Sequence, residues 1–290
     1  MEMGKGQRKV MKREEQFIVV RGGGDLATGT IYKLRKAGYP VLVLESGHPS
    51  AIRRCVAFSE AVYDGVCEVE GMTCRLADDL EEAYKIIKDQ EIPIMKDENC
   101  EILHQIRPWA VVDGILAKKN LGTNRNMADK TVALGPGFEA GVDVDLVIET
   151  KRGHNLGRII EKGSAQPNTG IPGVIGGYGK ERVIHSPAAG ILKNIRTIGD
   201  SVEKGEEIAR IEREDGSNVP VLASLTGLLR GLIRDGYPVS EGFKIADIDP
   251  RKEEYKNCFT ISDKARCIAG GVLEALMYLE SKEKGEEEKA

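Results

Sequence analysis

The sequence predicts an α/β domain built on a doubly wound parallel sheet, followed by a small duplicated β domain and a C-terminal helix. Three observations indicate this. An apolar strand runs into three glycines at positions 22–24, short apolar runs alternate with helical patterns over the first half, and the second half repeats itself. Alternating strands and helices are typical of a parallel sheet with helices on both faces.

The strongest motif is the βαβ unit of residues 17–45. A strand begins at Phe17 and reaches the glycines, a helical pattern follows, and a second buried strand ends at Glu45. This order is the dinucleotide-binding signature, with Ala27 in place of the third glycine of GxGxxG. The glycines would let the backbone approach a pyrophosphate, the helix N-terminus would attract it, and Glu45 would bond a ribose diol. We therefore predict a Rossmann-like nucleotide-binding domain over residues 16–150.

Further apolar runs continue the alternation, with a third strand predicted at Phe58–Tyr63. Ligands of such sheets bind beyond the carboxyl ends of the strands. Asp113 follows one run, and Gly135 and Gly137 follow another, so these residues are predicted to line one crevice with the glycine turn. The alternatives are a helix cap at Asp113 and a plain turn at the two glycines.

Basic residues flank the predicted crevice in two places. Arg53 and Arg54 follow the second strand closely and suit phosphates or a ribose, or else salt bridges on a solvated helix face. Residues 151–182 form a region rich in Gly, Pro and Asn, in which Arg152 and His154 give anion-binding potential. A linker with a structural histidine is the competing interpretation.

The internal repeat begins near residue 183. Gly190 and Gly199 recur 37 residues later as Gly227 and Gly236. A half that cannot bury its own face would pair with its copy in a small sandwich. The sequence pattern S-P-x-x-G followed by G-D-x-V-x-x-G resembles that of biotinyl/lipoyl-like modules. Residues 183–250 are therefore predicted to be a barrel-sandwich hybrid. The connection between the halves contains no lysine, and covalent biotin or lipoate is therefore not expected.

The remaining segments are a tail, a helix and a second tail. Residues 1–15 are predicted to be disordered, residues 251–282 to form a helix that packs on the Rossmann-like domain, and residues 283–290 to be a charged tail. Gly270 and Gly271 lie within that helix and would allow close packing at a cost of about 1 kcal/mol each relative to alanine.

Composition restricts the class of protein. Hydrophobic residues are 41%, charged residues 30%, and the formal net charge is −4 with no basic stripe, which argues against a nucleic-acid partner. No apolar run approaches the roughly 20 residues of a membrane helix, and the N-terminus lacks the apolar core of a signal peptide, so a cytoplasmic location without membrane contact is expected. The six cysteines show no CxxC pair, so no metal site is predicted.

Several motifs together resemble one family over nearly the whole chain. They are Val-Arg-Gly-Gly-Gly-Asp-Leu-Ala-Thr-Gly (20–29), Ile-Arg-Arg (52–54), Gly-Pro-Gly-Phe (135–138), Ile-Glu-Thr-Lys-Arg-Gly-His-Asn-Leu-Gly-Arg (148–158), Pro-Asn-Thr-Gly-Ile-Pro-Gly (167–173) and Arg-Asp-Gly-Tyr-Pro-Val (234–239). The chain resembles the YqeB-type accessory proteins of the selenium-dependent molybdenum hydroxylase system. The resemblance implies a role in maturing or inserting the selenium-containing molybdenum cofactor, with a molybdenum hydroxylase subunit as partner. It assigns no catalytic residue.

The leading hypothesis is that the crevice holds a nucleotide-containing ligand, a molybdopterin dinucleotide-type cofactor. The alternatives are an NAD-dependent oxidoreductase, for which no hydride-transfer constellation is visible, and a non-enzymatic docking module for the hydroxylase. A homo-oligomer is compatible with the sequence. Cys55 could carry sulfur or selenium if its pKa were lowered, although an inert core cysteine is the simpler interpretation. The predicted cofactor-binding residues are Gly22, Gly23, Gly24, Asp25, Leu26, Ala27, Glu45, Arg53, Arg54, Asp113, Gly135, Gly137, Arg152 and His154.

Overall fold

The first half of the chain forms one large sheet. The computed structural model describes residues 12–167 and 173–287, with side chains as far as residue 283. The strands of the sheet in chain order are β1 (Ile18–Arg21), β2 (Val41–Glu45), β3 (Val66–Val69), β4 (Met72–Leu76), β5 (Ile92–Lys96), β6 (Ala110–Asp113), β7 (Lys130–Leu134), β8 (Leu146–Ile148) and β9 (Ile159–Ile160).

Their spatial order is β3-β4-β5-β2-β1-β6-β7-β8-β9. The strands from β4 to β8 run parallel, whereas β3 and β9 are antiparallel to their neighbours at the two edges. Val20 of β1 lies between Val43 of β2 and Val112 of β6. The carboxyl ends of these three central strands therefore meet at one edge of the sheet.

Central strands are continuously apolar because both of their faces are buried. On one face pack helix α1 (Asp25–Lys36) and the C-terminal helix α4 (Asp263–Glu287), and the core includes Ile31 and Ile268. The amphipathic helix α3 (Leu80–Lys88) contributes Ala83 and Ile86 to a separate buried cluster. Helix α2 (Ala61–Asp64) is a single turn.

The second half forms two four-stranded antiparallel sheets. Its strands are β10 (Val183–His185), β11 (Gly190–Asn194), β12 (Ser201–Val202), β13 (Glu207–Glu212), β14 (Asn218–Leu222), β15 (Gly227–Leu232), β16 (Pro238–Val239) and β17 (Lys244–Asp249). One sheet has the order β10-β17-β15-β12 and the other β14-β13-β11-β16. Leu192, Ile211, Leu229 and Ile248 are fully buried in their shared core.

Gly190 and Gly227, the equivalent glycines that begin β11 and β15, have the same packing role. A Cβ at Gly190 would lie 2.3 Å from the carbonyl oxygen of Glu212, and a Cβ at Gly227 would lie 2.3 Å from that of Asp249. Only glycine permits such a close approach of two backbones. The repeated glycine is therefore explained by packing and requires no ligand.

The predicted fold class, a Rossmann-like doubly wound sheet followed by a duplicated barrel-sandwich hybrid, is wrong. The large sheet is mixed, and β6, β7 and β8 are joined by loops and 3-10 turns instead of helices. The second mononucleotide-binding half of a Rossmann fold is therefore missing, and α4 from the C-terminus covers β7 and β8 in its place. In the β region, each sheet contains two strands from each repeat, with the two strands of one repeat in the centre and those of the other at the edges. Neither repeat therefore forms a separate four-stranded half.

The strand predicted at Phe58–Tyr63 is also wrong, and the tail predicted at residues 1–15 is only partly described by the structure. Phe58–Tyr63 is not a strand, because residues Phe58–Glu60 form a 3-10 turn that continues into α2. Its backbone bonds instead to the glycine turn, with the Ser59 N–H donating to the Gly23 carbonyl at 2.9 Å. Of the predicted N-terminal tail, Arg13–Glu15 form a 3-10 turn. The tail residues 1–11, loop residues 168–172 and the last three residues lie outside the described part of the chain.

The two halves contact each other through polar groups. Arg234 of the β region hydrogen-bonds both carboxylate oxygens of Asp64 and one of Glu60. The Leu232 N–H donates to the Ile52 carbonyl at 2.9 Å. None of the helices in the described residues is long and apolar enough to cross a membrane.

Candidate functional site

A cavity of about 490 Å³ opens where the strand order of the sheet reverses. β2 lies on one side of β1 and β6 on the other, which makes β1 the switch point at which ligands of open α/β sheets bind. We call this space the switch-point cavity. Its lining includes Gly22, Gly24, Asp25, Leu26, Ala27, Glu45, Arg53, Ser59, Gly114, Lys244 and Asp247.

The glycine turn shapes one wall of this cavity. Gly22 has a φ of +91°, and a Cβ there would lie 3.1 Å from the backbone of Ile115. Gly24 is the N-cap residue of α1, has no side-chain cap, and has no atom within 4 Å of the position of a Cβ. Among the described residues, the N–H groups of Gly24, Asp25 and Leu26 have no hydrogen-bond acceptor. The positive end of the α1 dipole is therefore open to the cavity.

Glu45 has a structural task in this turn. Its Oε2 accepts a hydrogen bond from the Gly23 N–H and its Oε1 one from the Ser46 N–H, both at 2.7 Å. These two bonds occupy the carboxylate that the sequence assigned to a ribose. Glu45 thus fixes the glycine turn and completes the strand end on which the cavity is built.

Two buried polar atoms beside α1 lack partners. Ser59 is 1% exposed and Arg53 is 9% exposed, and both line the cavity. Within residues 12–167 and 173–287, neither the Ser59 Oγ nor the Arg53 Nε has a hydrogen-bond partner. Leaving a polar atom buried and unsatisfied costs about 1–3 kcal/mol, so these atoms mark places that a bound ligand would satisfy.

The other groups of Arg53 are engaged. Its Nη1 lies 3.7 Å from the Asp25 Oδ2, and its Nη2 donates to the carbonyls of Asn257 and Thr260 at 2.9 and 3.2 Å. Burial lowers the pKa of Arg53, and the nearby charge of Arg230 adds to this. Arg53 therefore joins the first turn of α1 to the segment that precedes α4.

Beneath the cavity lies a buried ion pair that the sequence reading missed. Arg21 and Asp113 are 2% and 1% exposed, with 3.5 Å between Nη1 and Oδ2. Thr123 donates its hydroxyl to the same Oδ2 at 2.5 Å and accepts from Arg21. Burial raises the pKa of Asp113, while the Thr123 hydrogen bond and the charge of Arg21 oppose that rise. The sequence does carry a signal for this ion pair: Arg21 and Asp113 are charged residues of opposite sign, each at the end of an apolar strand.

The predicted site residues separate into those that line the cavity, those that adjoin it and those that lie elsewhere. Seven line the switch-point cavity. Two adjoin it, Gly23 behind it against Ser59 and Asp113 under it. The other five lie elsewhere. Arg54 points away, donating its Nε to the Leu232 carbonyl at 2.8 Å. Gly135 contacts Thr150, Gly137 contacts Lys119, Arg152 lines a second cavity, and His154 is exposed.

The fold and the site define an α/β protein with a ligand-sized cavity at its switch point. The chain is 51% identical over 264 residues to the uncharacterized protein YqeB of Escherichia coli K12. The match covers 91% of this chain but 48% of YqeB, so the chain spans about half the length of that relative. The predicted resemblance to YqeB-type proteins is confirmed. No family model matches the chain.

Solved structures give low similarity. An aspartoacylase family protein from Mesorhizobium loti has a TM-score of 0.30 at 12% identity, covering 81% of this chain and 85% of its own. The ectoine utilization protein EutE of Ruegeria pomeroyi has a TM-score of 0.26 at 10% identity, and the match covers 80% of this chain and 85% of EutE. A succinylglutamate desuccinylase from Silicibacter has a TM-score of 0.25 at 13% identity, and the match covers 82% of this chain and 85% of the desuccinylase.

The functional predictions drawn from the sequence are wrong. The site lacks the apparatus that a dinucleotide cofactor needs. Glu45 is engaged by the turn itself, and the second mononucleotide-binding half is missing. Molybdopterin dinucleotide and NAD are therefore withdrawn as cofactors. So are the role in maturing a selenium-containing molybdenum cofactor and its two alternatives, NAD-dependent oxidation and docking to the hydroxylase.

Two further chemical interpretations can be judged from the geometry. Burial raises the pKa of the Cys55 thiol, the opposite of what a sulfur- or selenium-carrying thiolate requires. Within residues 12–167 and 173–287, no group of three or more His, Cys, Asp and Glu side chains could hold a metal ion.

Proposed function

We propose that the chain binds a small organic anion, with one carboxylate or phosphate group, in the switch-point cavity. The observation that carries the proposal is the open first turn of α1. In the part of the chain that the structure describes, three N–H groups there lack acceptors, and the unpartnered Ser59 Oγ and Arg53 Nε lie beside them. Backbone N–H groups at a helix N-terminus bind anions well because their dipoles add to the hydrogen bonds.

The rest of the cavity suits the body of such a ligand. Leu26, Ile52, Ile115 and Leu116 supply apolar contacts, and Ser46 and Ser50 supply hydroxyls. A volume of about 490 Å³ is in the range of metabolite sites, which combine apolar walls with a few placed polar groups. Three of the four carboxylates at the wall are engaged and oppose an anion little: Asp25 faces Arg53, Asp247 faces two arginines, and Glu45 accepts two backbone N–H groups. The fourth, Glu98, is exposed to solvent.

Substitution Gly24→Asp tests the proposal directly. An aspartate at this N-cap has room for its side chain and would bond the free N–H groups itself, placing a negative charge where the ligand anion should bind. We expect anion affinity to fall about tenfold or more, while the melting temperature stays the same or rises, because aspartate is a better N-cap than glycine. The measurement is calorimetric titration with inorganic phosphate, glycerol 3-phosphate and 2-oxoglutarate.

Gly24→Ala is the matched control, since alanine adds neither a charge nor a capping oxygen. It should bind the same anion within a few-fold of the unmodified chain. The proposal is overturned if no anion of the panel binds saturably at millimolar concentration, or if Gly24→Asp binds as well as Gly24→Ala.

A further inference from the structure

A second and larger cavity adjoins the first. It encloses about 800 Å³ between the segment after β8, the β10-β17-β15-β12 sheet and the start of α4, and it shares Lys244 and Asp247 with the switch-point cavity. Two carboxylates line it, Asp247 and Asp263. Seven cationic side chains line it, and we call the space they define the basic cavity: Lys151, Arg152, Arg182, Arg230, Lys244, Arg251 and Lys264.

The four arginines of the basic cavity are held by four carboxylates that are unequally distributed among them. A single carboxylate, Asp247, serves both Arg182 at 3.4 Å and Arg230 at 3.8 Å. The two remaining arginines have their own partners: Arg152 with Asp263 at 2.7 Å, and Arg251 with Asp249 at 2.8 Å and Glu254 at 3.7 Å. The excess of positive charge is therefore local to Asp247, which faces two guanidinium groups, whereas Arg251 has two carboxylates.

The lysines add to this excess. Lys151, Lys244 and Lys264 form no side-chain hydrogen bond or ion pair with the described residues. Lys264, the second residue of α4, is half-buried, and burial lowers its pKa, with the charge of Arg152 as the next cause. The carboxylates of Asp25, Glu149 and Asp263 act in the opposite direction, but each has a smaller effect on this pKa than burial and Arg152 have. The three lysine charges thus have no carboxylate partner among the described residues and supply the net positive charge of the cavity.

This arrangement differs from a solvated basic surface. The side chains of Arg182 and Arg230 are 4% and 17% exposed, and the Arg230 Nε is buried without an acceptor. Like charges in a concave, low-dielectric site focus the potential and raise the local concentration of counter-ions. Guanidinium groups held in fixed orientation also suit bidentate recognition of carboxylate or phosphate.

We propose that the basic cavity is a second ligand site, which takes a small polyanion with two or more adjacent phosphate or carboxylate groups. A single charge would leave most of the excess uncompensated, whereas adjacent anionic groups can each meet a different cation of the lining, such as Lys151, Lys244 or Lys264. None of Gly24, Asp25 and Leu26 at the start of α1 lines the basic cavity, although the two cavities share Lys244 and Asp247. The proposal therefore does not require the function proposed above.

The test compares polyanions with matched single anions by calorimetric titration of the full chain. Pyrophosphate or citrate should bind at least tenfold more tightly than inorganic phosphate or acetate, and the affinity should fall as sodium chloride is raised. Tight binding of pyrophosphate alone identifies a phosphate site, and tight binding of citrate alone a carboxylate site. Equal affinity for polyanions and single anions would overturn the proposal.

The variant Lys151→Gln/Lys264→Gln locates the site. It should weaken polyanion binding at least tenfold, whereas Lys88→Gln on the exposed face of α3 should change it less than twofold. Thermal melts of the variants check that each remains folded. The basic cavity is excluded if the double variant binds as tightly as the unmodified chain. It is also excluded if Gly24→Asp weakens polyanion binding as much as the double variant does, since this would place the polyanion at α1.

Discussion

Replacement of Arg21 by methionine is expected to lower the free energy of unfolding by about 3–5 kcal/mol, the range for breaking a buried ion pair by removing one partner. The guanidinium lies 3.5 Å from Asp113, and both residues are almost completely buried. It also donates to the Glu98 carbonyl at 2.9 Å. Methionine fills most of the volume but leaves the carboxylate charged and without its cation. Urea unfolding at neutral pH measures the loss.

A pH series separates the lost charge from lost packing. Burial raises the pKa of Asp113 in the folded chain, and removing the arginine should raise it further. A carboxyl whose folded pKa exceeds its unfolded value binds its proton more tightly when folded, so the folded state gains stability as pH falls through the folded pKa towards about 3.9. The deficit of Arg21→Met should therefore shrink between pH 7 and pH 5.

Adding Asp113→Asn to Arg21→Met provides the control. Because the amide carries no charge, the double variant should recover part of the lost stability and should show a smaller pH dependence than the single variant. A deficit that is constant with pH in both variants would show that the ion pair contributes packing alone.

The adjacent glycines of α4 should respond to alanine with opposite signs. A Cβ at Gly271 would lie 2.1 Å from the Gly157 carbonyl oxygen, whereas the first atom near a Cβ at Gly270 is the Lys33 Nζ at 3.5 Å. We expect Gly271→Ala to destabilise by about 3 kcal/mol or more, since the helix must move away from β8 and the loop that follows it. We expect Gly270→Ala to stabilise by about 0.4–1 kcal/mol, because alanine costs less conformational entropy in a helix.

Thermal unfolding of the two variants side by side checks this prediction. Each carries the same substitution at neighbouring positions of one helix, so helix propensity is matched and only the packing differs. Similar shifts in melting temperature for both variants would contradict the close contact of α4 with Gly157 and would place the helix farther from the sheet.

Part of the candidate site could be predicted from local sequence. The apolar run before Gly22 and the helical pattern after Gly24 locate a strand, a turn and a helix N-terminus, and the structure describes β1 and α1 there. A run buried on both faces must be a strand or a core helix, and the glycines end it. Local sequence could not show that Glu45 would serve the turn, because the same carboxylate at a strand end suits a ribose or a backbone N–H equally well.

The fold class could not be derived in this way. The motif predicts one βαβ unit, and a complete doubly wound sheet would require further helical connections. The connections from β6 to β8 contain no α-helix. Phe58–Tyr63 has the composition of a strand, but its backbone hydrogen bonds go to the glycine turn and to Thr28. Tertiary contacts overrode the local preference in both cases.

The sequence by itself determined the glycine turn, the open N-terminus of α1 and the repeat of glycines in the second half, because these depend on backbone conformation and on neighbours close along the chain. Only the tertiary structure decided which charges meet. Asp247 and Lys264 come from distant segments, yet both line the basic cavity with Arg230, and Ser59 lies beside Gly23. Such pairings follow from how whole elements pack, and no periodicity in a single segment encodes them.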